Sequence, residues 1–435
     1  MAASQTSWRI DPVGPLRGDV LVRGSKNAVT KHMVAALLGG TPSTVRNCPD
    51  IGDIDITAGM LRSLGAFVDV EEDAVRVDAG RITQADLPTQ FAGLNRIPIL
   101  MVGPLLHRMG EAFVPFVGGD QIGKRPLDFH VACLRAMGAE VSMTAQGLEA
   151  KATSLHGARL RLPFPSVGAT ETVLLTAVMA EGRTVLENAA TEPEVIELAL
   201  FLQRMGARIE LRPDRRFIIE GVVGLTGAEH ALAGDRIEAF SYLTAGLITG
   251  GRVRVYGCPQ GRLVTAISTL HRMGARFEIT DDYVVAEAAK GLGPSVVMTD
   301  THPGFMTDWQ PPLVVLFTQC DGMSVVHETV YENRFTYVEA LKAMGAEIEL
   351  FDACLGGRDC RFNEMSDRHS AVVHGPTKLR GAEITVPDIR GGFAYVIAAA
   401  AAEGTTVLHD VHHIERGYHR ALESFTDLGL KISRI

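Results

Sequence analysis

The sequence predicts an α/β protein assembled from six copies of one unit, and two recurring phrases carry that prediction. The first is a helix tail, a Leu/Met-Gly-Ala turn and a strand: LRSLGAFVDV at 61–70, LRAMGAEVSM at 134–143, LQRMGARIEL at 202–211, LHRMGARFEI at 270–279, LKAMGAEIEL at 341–350 and, more degenerate, FTDLGLKISRI at 425–435. Its glycines, Gly65, Gly138, Gly206, Gly274, Gly345 and Gly429, recur about every 70 residues, which is too regular for chance.

The second phrase is an Ala/Leu-rich helix ending in glycine, followed by a β-branched strand. It runs LLGGTPSTVRN, RMGEAFVPF, AEGRTVLEN, TGGRVRVYG, CDGMSVVHE and AEGTTVLHD, in chain order. Glycine ends helices because it adopts the left-handed conformation without a Cβ clash. Period-2 segments such as RVRVYG beside apolar runs such as LVVLFTQ indicate strands packed on buried helices. Each unit therefore reads helix, glycine, strand, loop, helix, glycine, strand, and six of them account for nearly all 435 residues.

Bulk composition excludes several classes. A chain of 435 residues divides into two or more domains. No charge-free apolar run approaches the roughly 20 residues of a membrane span, and the start MAASQTSWRID has no signal-peptide pattern, so a cytoplasmic location is expected. A net charge of −9 provides no general field for nucleic acid. Six scattered cysteines read as reduced thiols. Cys354 and Cys360 lie close in sequence, but without a paired His/Cys motif beside them no zinc site is expected.

Basic residues recur in glycine-flanked loops: RGSKN at 23–27, IGKRP at 122–126, ENRF at 332–335, DIRGG at 388–392 and IERGY at 414–418. Lys and Arg gathered locally in an acidic protein point to an anionic small molecule. Taken singly such residues are usually surface solubilisers; equivalent loops of a repeat can share a face.

The motifs GSKNA at 24–28, GGDQIGKRPLDFH at 118–130, FPSVGATET at 164–172, GDRIEA at 234–239, PGFMTDWQP at 303–311, ETVYENRF at 328–335 and HIERGY at 413–418 together resemble the enolpyruvyl transferase family. The likeness extends from about Val22 to the C-terminus; the phosphate-loop motifs of the branch acting on shikimate 3-phosphate are not found. The resemblance implies two inverse α/β-barrel-like domains of three βαβαββ repeats each, with the active site in the interdomain cleft. Residues 1–22 with 235–435 would form one domain and 23–234 the other.

The implied reaction is addition–elimination: a sugar 3′-hydroxyl attacks C2 of phosphoenolpyruvate, C3 is protonated, and the ketal loses phosphate. No cofactor or metal is implied, since the activated reagent is itself a substrate. The implied partners are phosphoenolpyruvate and a uridine nucleotide, UDP-N-acetylglucosamine, in peptidoglycan precursor synthesis. The alternative acceptor is another uridine nucleotide, such as UMP in nucleoside-antibiotic synthesis; a binding protein without turnover is a further alternative.

By the same resemblance Lys26 contacts the phosphoenolpyruvate phosphate and Asn27 the sugar, while Arg96 and Arg125 lie near phosphate. Arg334, Arg390 and Arg416 gather around carboxylate and phosphate, and Asp308 orients the hydroxyl and accepts its proton. Arg125, Pro126, Leu127 and Asp128 resemble the uridine-binding stretch, and Ser166, Val167 and Gly168 a diphosphate-holding helix start. Glu192 and Glu194 resemble a structural acidic pair. Read without the family, Asp308 is an ordinary helix cap, and Arg390 or Arg416 could form structural ion pairs with Asp388 or Glu415.

Asp120 is the distinctive position. Most members have cysteine in GGCxIG, which protonates C3 and is alkylated by fosfomycin; here the loop reads GGDQIG, which implies an acid in the same role and fosfomycin resistance. Other departures are Thr191 and Gly93 where arginine is usual, Gly391 and Gly392 where Ala or Ser is commoner, Trp309 beside Asp308, and an insertion of about fifteen residues at 351–370. Trp309 could stack on a base or sugar or pack in the core.

Overall fold

A computed structural model describes residues 6–119, 122–123, 125–288 and 291–435. Among them the chain forms six small sheets with one shared plan. In each, a strand pairs in parallel with a second, which pairs antiparallel with a third, which pairs antiparallel with an edge strand. In Glu229–Ala231, Ser43–Arg46, Ala74–Asp78, Phe67–Val70 the registers are His230↔Val45, Val45↔Val75 and Val68↔Val77. Five sheets have four strands. The sixth has three, and a parallel bridge between Asp86 and Phe113 stands where the fourth would be.

The edge strand always follows the recurring glycine turn. Gly65, Gly138, Gly206, Gly274, Gly345 and Gly429 all lie between φ +91° and +109°, a region where a Cβ is strained. That shared requirement is why the phrase survives in six copies whose other residues differ.

The described residues fall into two compact units. One contains the chain up to Arg23 and from Gly234 onward; the other contains Gly24–Gly119 and Arg125–Ala233, while the described pair Ile122–Gly123 groups with the first. The N-terminal strand Trp8–Asp11 completes a sheet between Thr406–His409 and Lys431–Arg434, so the first residues close onto the last.

Inside each unit lie three largely buried helices, all in mutual contact in the first unit and joined through the middle one in the second. In the first unit they are Arg236–Ile248, Gln310–Phe317 and Ile389–Ala401; in the second, Lys26–Ala35, Pro98–Met109 and Val167–Ala177. Every residue of Gln310–Phe317 is buried, as is every residue of Ile389–Ala400. A helix apolar all round has to be interior. The outer helices are amphipathic instead: Val264–Arg272 buries only Ala266, Thr269 and Leu270. Helices inside and sheets outside make this an inverse α/β arrangement, as expected.

Close approach explains the unusual glycines of the helix Ile389–Ala401. A Cβ at Gly392 would stand 2.4 Å from Val386 Cγ1 and 2.9 Å from Ile414 Cγ1. Gly392→Ala is expected to overpack that contact and destabilise by ~1–3 kcal/mol. Gly224→Ala, at a site with nothing within 4 Å, serves as the neutral comparison. Urea unfolding midpoints distinguish the two; equal midpoints would show that the helix shifts freely.

Candidate functional site

The starts of the six inner helices carry most of the singled-out residues. A helix start presents unpaired N–H groups and the positive end of the macrodipole, which suits anions.

In the first unit the three starts converge. Asp235 caps Arg236–Ile248, its Oδ1 accepting from Ile237 N at 2.7 Å and Glu238 N at 3.2 Å. Asp308 lies in the 3-10 turn Thr307–Trp309 that leads into Gln310–Phe317. Its side chain does not cap that helix. Oδ1 meets Arg334 Nη2 at 3.2 Å, and Oδ2 faces Arg390 Nε at 3.8 Å. Asp388 caps Ile389–Ala401 by accepting from Arg390 N and Gly391 N at 2.9 and 3.0 Å.

The Arg334 guanidinium is only 1% exposed and bridges two of these starts, with Nη1 also 3.6 Å from Asp388 Oδ1. Arg390 therefore does not spend its side chain on Asp388, which takes only its backbone N–H; its guanidinium lies over the Tyr418 ring at 5.1 Å. Burial pushes the Tyr418 phenol up to about 12, against the opposing pull of Arg390. Arg416 closes the short helix His412–Glu415, and Glu415 pairs with Arg434 at 2.7 Å.

Glu328 fixes the turn from behind. It is fully buried, accepts from Thr307 Oγ1 at 2.9 Å and from the N–H groups of Val330 and Tyr331 at 2.8 and 3.1 Å. Burial raises its pKa while these bonds oppose the rise. Glu238 is also buried, and burial followed by the charge of Asp235 pushes its pKa well up. Trp309 is 1% exposed, packs against Phe240 and Phe305, lies under Arg236 and donates its Nε1–H to Arg236 O. Of the two readings of this residue, core packing is the one observed: an indole held there has no face for a ligand.

In the second unit Ser25 caps Lys26–Ala35, and Lys26 Nζ pairs with Asp53 at 3.0 Å; Asn27 is the next helical residue. Arg96 precedes Pro98–Met109. A Cβ at Gly119 would lie 3.4 Å from Arg96 Cγ and 3.5 Å from Arg125 Nη1, so both arginines border that backbone. Arg125 has φ +45°; Pro126 and Leu127 follow, and Asp128 opens the helix Asp128–Ala136. Ser166 caps Val167–Ala177, accepting from Ala169 N at 3.4 Å. His130 reaches the same helix, with Nδ1 2.7 Å from Thr172 Oγ1 and its ring against Gly168. Burial, aided by Arg96, depresses the His130 imidazole to about 3. The stretches 125–130 and 166–168 are thus neighbours. Gly93, where arginine was expected, turns at φ +77° with its carbonyl against Gly118, leaving no side chain there.

Glu192 and Glu194 are buried at the start of Pro193–Arg204, near Glu171 and Lys31. Asp120 lies outside the described residues. Sequence reasoning missed Asp53, Glu328, Asp388 as Arg334's second partner, and Tyr418. Glu328, Asp388 and Tyr418 stand within the motifs ETVYENRF, DIRGG and HIERGY and Asp53 in none, but no motif names the residue that each of them meets.

The geometry can be set beside known proteins. A profile of the family described as EPSP synthase (3-phosphoshikimate 1-carboxyvinyltransferase) matches residues 10–425. The chain belongs to this family of enolpyruvyl transferases. Among curated members it is 44% identical to UDP-N-acetylglucosamine 1-carboxyvinyltransferase of Chlamydia pneumoniae, covering 96% of this chain and 93% of that one. It is 42% identical to the enzyme of that name from Protochlamydia amoebophila, over 97% and 92%, and 38% identical to that of Halothermothrix orenii, over 97% of each. The enolpyruvyl transferase NikO from Streptomyces tendae has the same fold, with a TM-score of 0.86 at 24% identity over 99% of both chains. EPSP synthase from Acinetobacter baumannii follows at 0.75 and 17%, over 99% and 100%. No helix among the described residues of this family member is long and apolar enough to cross a membrane.

Glu171 is expected to make this family member's stability pH-dependent. Burial raises its carboxyl from 4.5 to about 7, opposed by Lys31. Between those values the folded chain keeps a proton that the unfolded chain has released, so stability falls as pH rises and levels off above about 7. Glu171→Gln is expected to gain on the wild type by on the order of 1–3 kcal/mol between pH 5 and 7.5 in denaturant titrations. A pH-independent difference would sink this assignment.

Proposed function

We propose that the chain transfers the enolpyruvyl group of phosphoenolpyruvate to the 3′-hydroxyl of UDP-N-acetylglucosamine, releasing phosphate, as a cytoplasmic step of peptidoglycan precursor synthesis. The observation that carries this reading is Asp308, a carboxylate set between two guanidinium groups at converging helix starts. The identity of 38–44% to enzymes named for that acceptor favours it over UMP.

In this reading Asp308 orients the hydroxyl and takes its proton as oxygen attacks C2, while Asp120 gives a proton to C3. The ketal then loses phosphate as C3 returns a proton, which forms the enol ether. Arg390 and Arg416 hold the carboxylate; Lys26, Arg96 and Arg125 hold the phosphate, offsetting the repulsion of two anionic substrates. Residues 125–128 and 166–168, with Asn27, bind the nucleotide. Arg334, buried between Asp308 and Asp388, acts as a positioning residue.

Phosphate release from phosphoenolpyruvate is expected with UDP-N-acetylglucosamine and not with UMP; turnover with UMP alone would move the acceptor, and none with either would end the enzymatic reading. Asp308→Asn is expected to lower kcat by ~10²–10⁴ while nucleotide binding persists. Fosfomycin should leave the intact mass unchanged, and Asp120→Cys should acquire one adduct. An adduct on the wild type would contradict the role given to Asp120.

A further inference from the structure

The loop 352–369 breaks the repeat. It joins the strands Glu347–Phe351 and Ser370–Gly375, whereas the equivalent hairpins at 71–73, 144–146, 213–215 and 280–282 are three residues long. This longer loop brings Cys354 and Cys360 to His369, just before Ser370, and to His327, the last residue of Gly322–His327, which pairs with Ser370.

The four side chains are arranged as ligands. Cys354 Sγ lies 3.7 Å from Cys360 Sγ and 3.4 Å from His369 Nε2, and one ligand atom from each of the four lies within 4.8 Å of all the others. A zinc tetrahedron with Zn–S of ~2.3 Å and Zn–N of ~2.05 Å has S···S edges of about 3.8 Å and S···N edges of about 3.6 Å. The two separations from Cys354 lie close to those edges, and the remaining ones stay within 4.8 Å. His369 Nδ1–H donates to Asp367 O at 2.8 Å, which leaves the lone pair on Nε2, facing Cys354. His327 is fully buried, yet neither ring nitrogen has a hydrogen-bond partner. A buried imidazole without a partner calls for an occupant.

The surroundings are also those of a built site. Phe362 N–H donates to Cys360 Sγ at 3.4 Å, and the Phe362 ring lies 6.0 Å from that of His369. Gly356 lets the loop close over His327, since a Cβ there would stand 2.5 Å from Nδ1.

We propose that His327, Cys354, Cys360 and His369 bind one zinc ion in a closed, four-coordinate structural site. Thiolate with imidazole selects zinc over magnesium or calcium, and four protein ligands leave no open position for catalysis. Binding deprotonates both thiols and releases two protons, with no change of oxidation state. The ion ties the loop to the strand end where Glu328 begins, and Glu328 holds Thr307 beside Asp308. Zinc was not expected from the sequence because His327 ends a strand far from the cysteines in the chain, and Cys354, Cys360 and His369 do not form a paired short-spacing motif.

The test is metal analysis of the full-length protein, reduced, equilibrated with one equivalent of zinc against a moderate chelator and then desalted. One zinc per chain is expected, falling at least tenfold in Cys354→Ser/Cys360→Ser and unchanged in Cys258→Ser. Cobalt added to the metal-free wild type should give thiolate-to-cobalt charge-transfer absorption that the double variant lacks. Metal-free wild-type protein after equilibration would overturn the proposal, as would a Cys354–Cys360 disulfide found by peptide mapping with zinc present. Since the wild type alone decides between these outcomes, misfolding of the variant would not protect the idea.

Discussion

A helix that begins inside a protein has N–H groups that no preceding turn can satisfy, and this fold begins six of them there. Four starts are satisfied by side chains: Ser25, Ser166, Asp235 and Asp388 each accept from the first turn. The other two reduce the demand. Pro98 has no N–H to satisfy, and Asn95 Oδ1 accepts from Ile97 N at 3.0 Å. Before Gln310 a 3-10 turn intervenes, and Pro311 and Pro312 again remove donors. At the starts of the second unit Lys26 and Arg96 add positive charge, while in the first unit Arg334 and Arg390 face the carboxylates of Asp308 and Asp388. The anion binding proposed for the protein would follow from placing helices inside the sheets.

Burying charge at these starts demands compensation. Arg334, removed from water, is tolerable because Asp308 and Asp388 lie at 3.2 and 3.6 Å. Loss of one partner of a buried pair typically costs ~3–5 kcal/mol, whereas the net worth of the intact pair is small. Its contribution is thus geometric: one guanidinium links the helix starts that carry Asp308 and Arg390. The second unit uses Lys26 with Asp53, and Lys31 near Glu171, in the corresponding way.

Architecture was legible because its strongest requirement is local. A left-handed glycine after each outer helix leaves the same letters in six places, and the inner helices are apolar enough to be recognised as buried. The last glycine interval, Gly345 to Gly429, is longer than the others because the 352–369 loop lies within it. Asp308, Arg334 and Arg390 were legible through motifs, and the structure brings those three together. Their partners were not. Tyr418 beneath Arg390, Glu328 behind Thr307 and Asp53 beside Lys26 are pairings across the fold, and a sequence without pair information contains no sign of them. Trp309 was legible too: packing was the safer of its two readings, and the indole is buried against Phe240 and Phe305.

Repeat symmetry also locates what is particular to this chain. Where six units share a plan, a residue needed only for folding tends to recur in equivalent positions, and a feature present in one unit alone needs a separate cause. The glycine turn recurs; the cysteine-bearing loop does not. It could have been a tolerated surface excursion, since lengthening a loop costs little. Such a loop would not be expected to bring a buried imidazole without a hydrogen-bond partner, a second imidazole and two half-buried thiols together at one strand end, or to need glycine where it crosses His327. Burial without partners is unfavourable. A chain that retains it has a compensating interaction, and one cation shared among four donors supplies it at the strand end that supports the Asp308 turn.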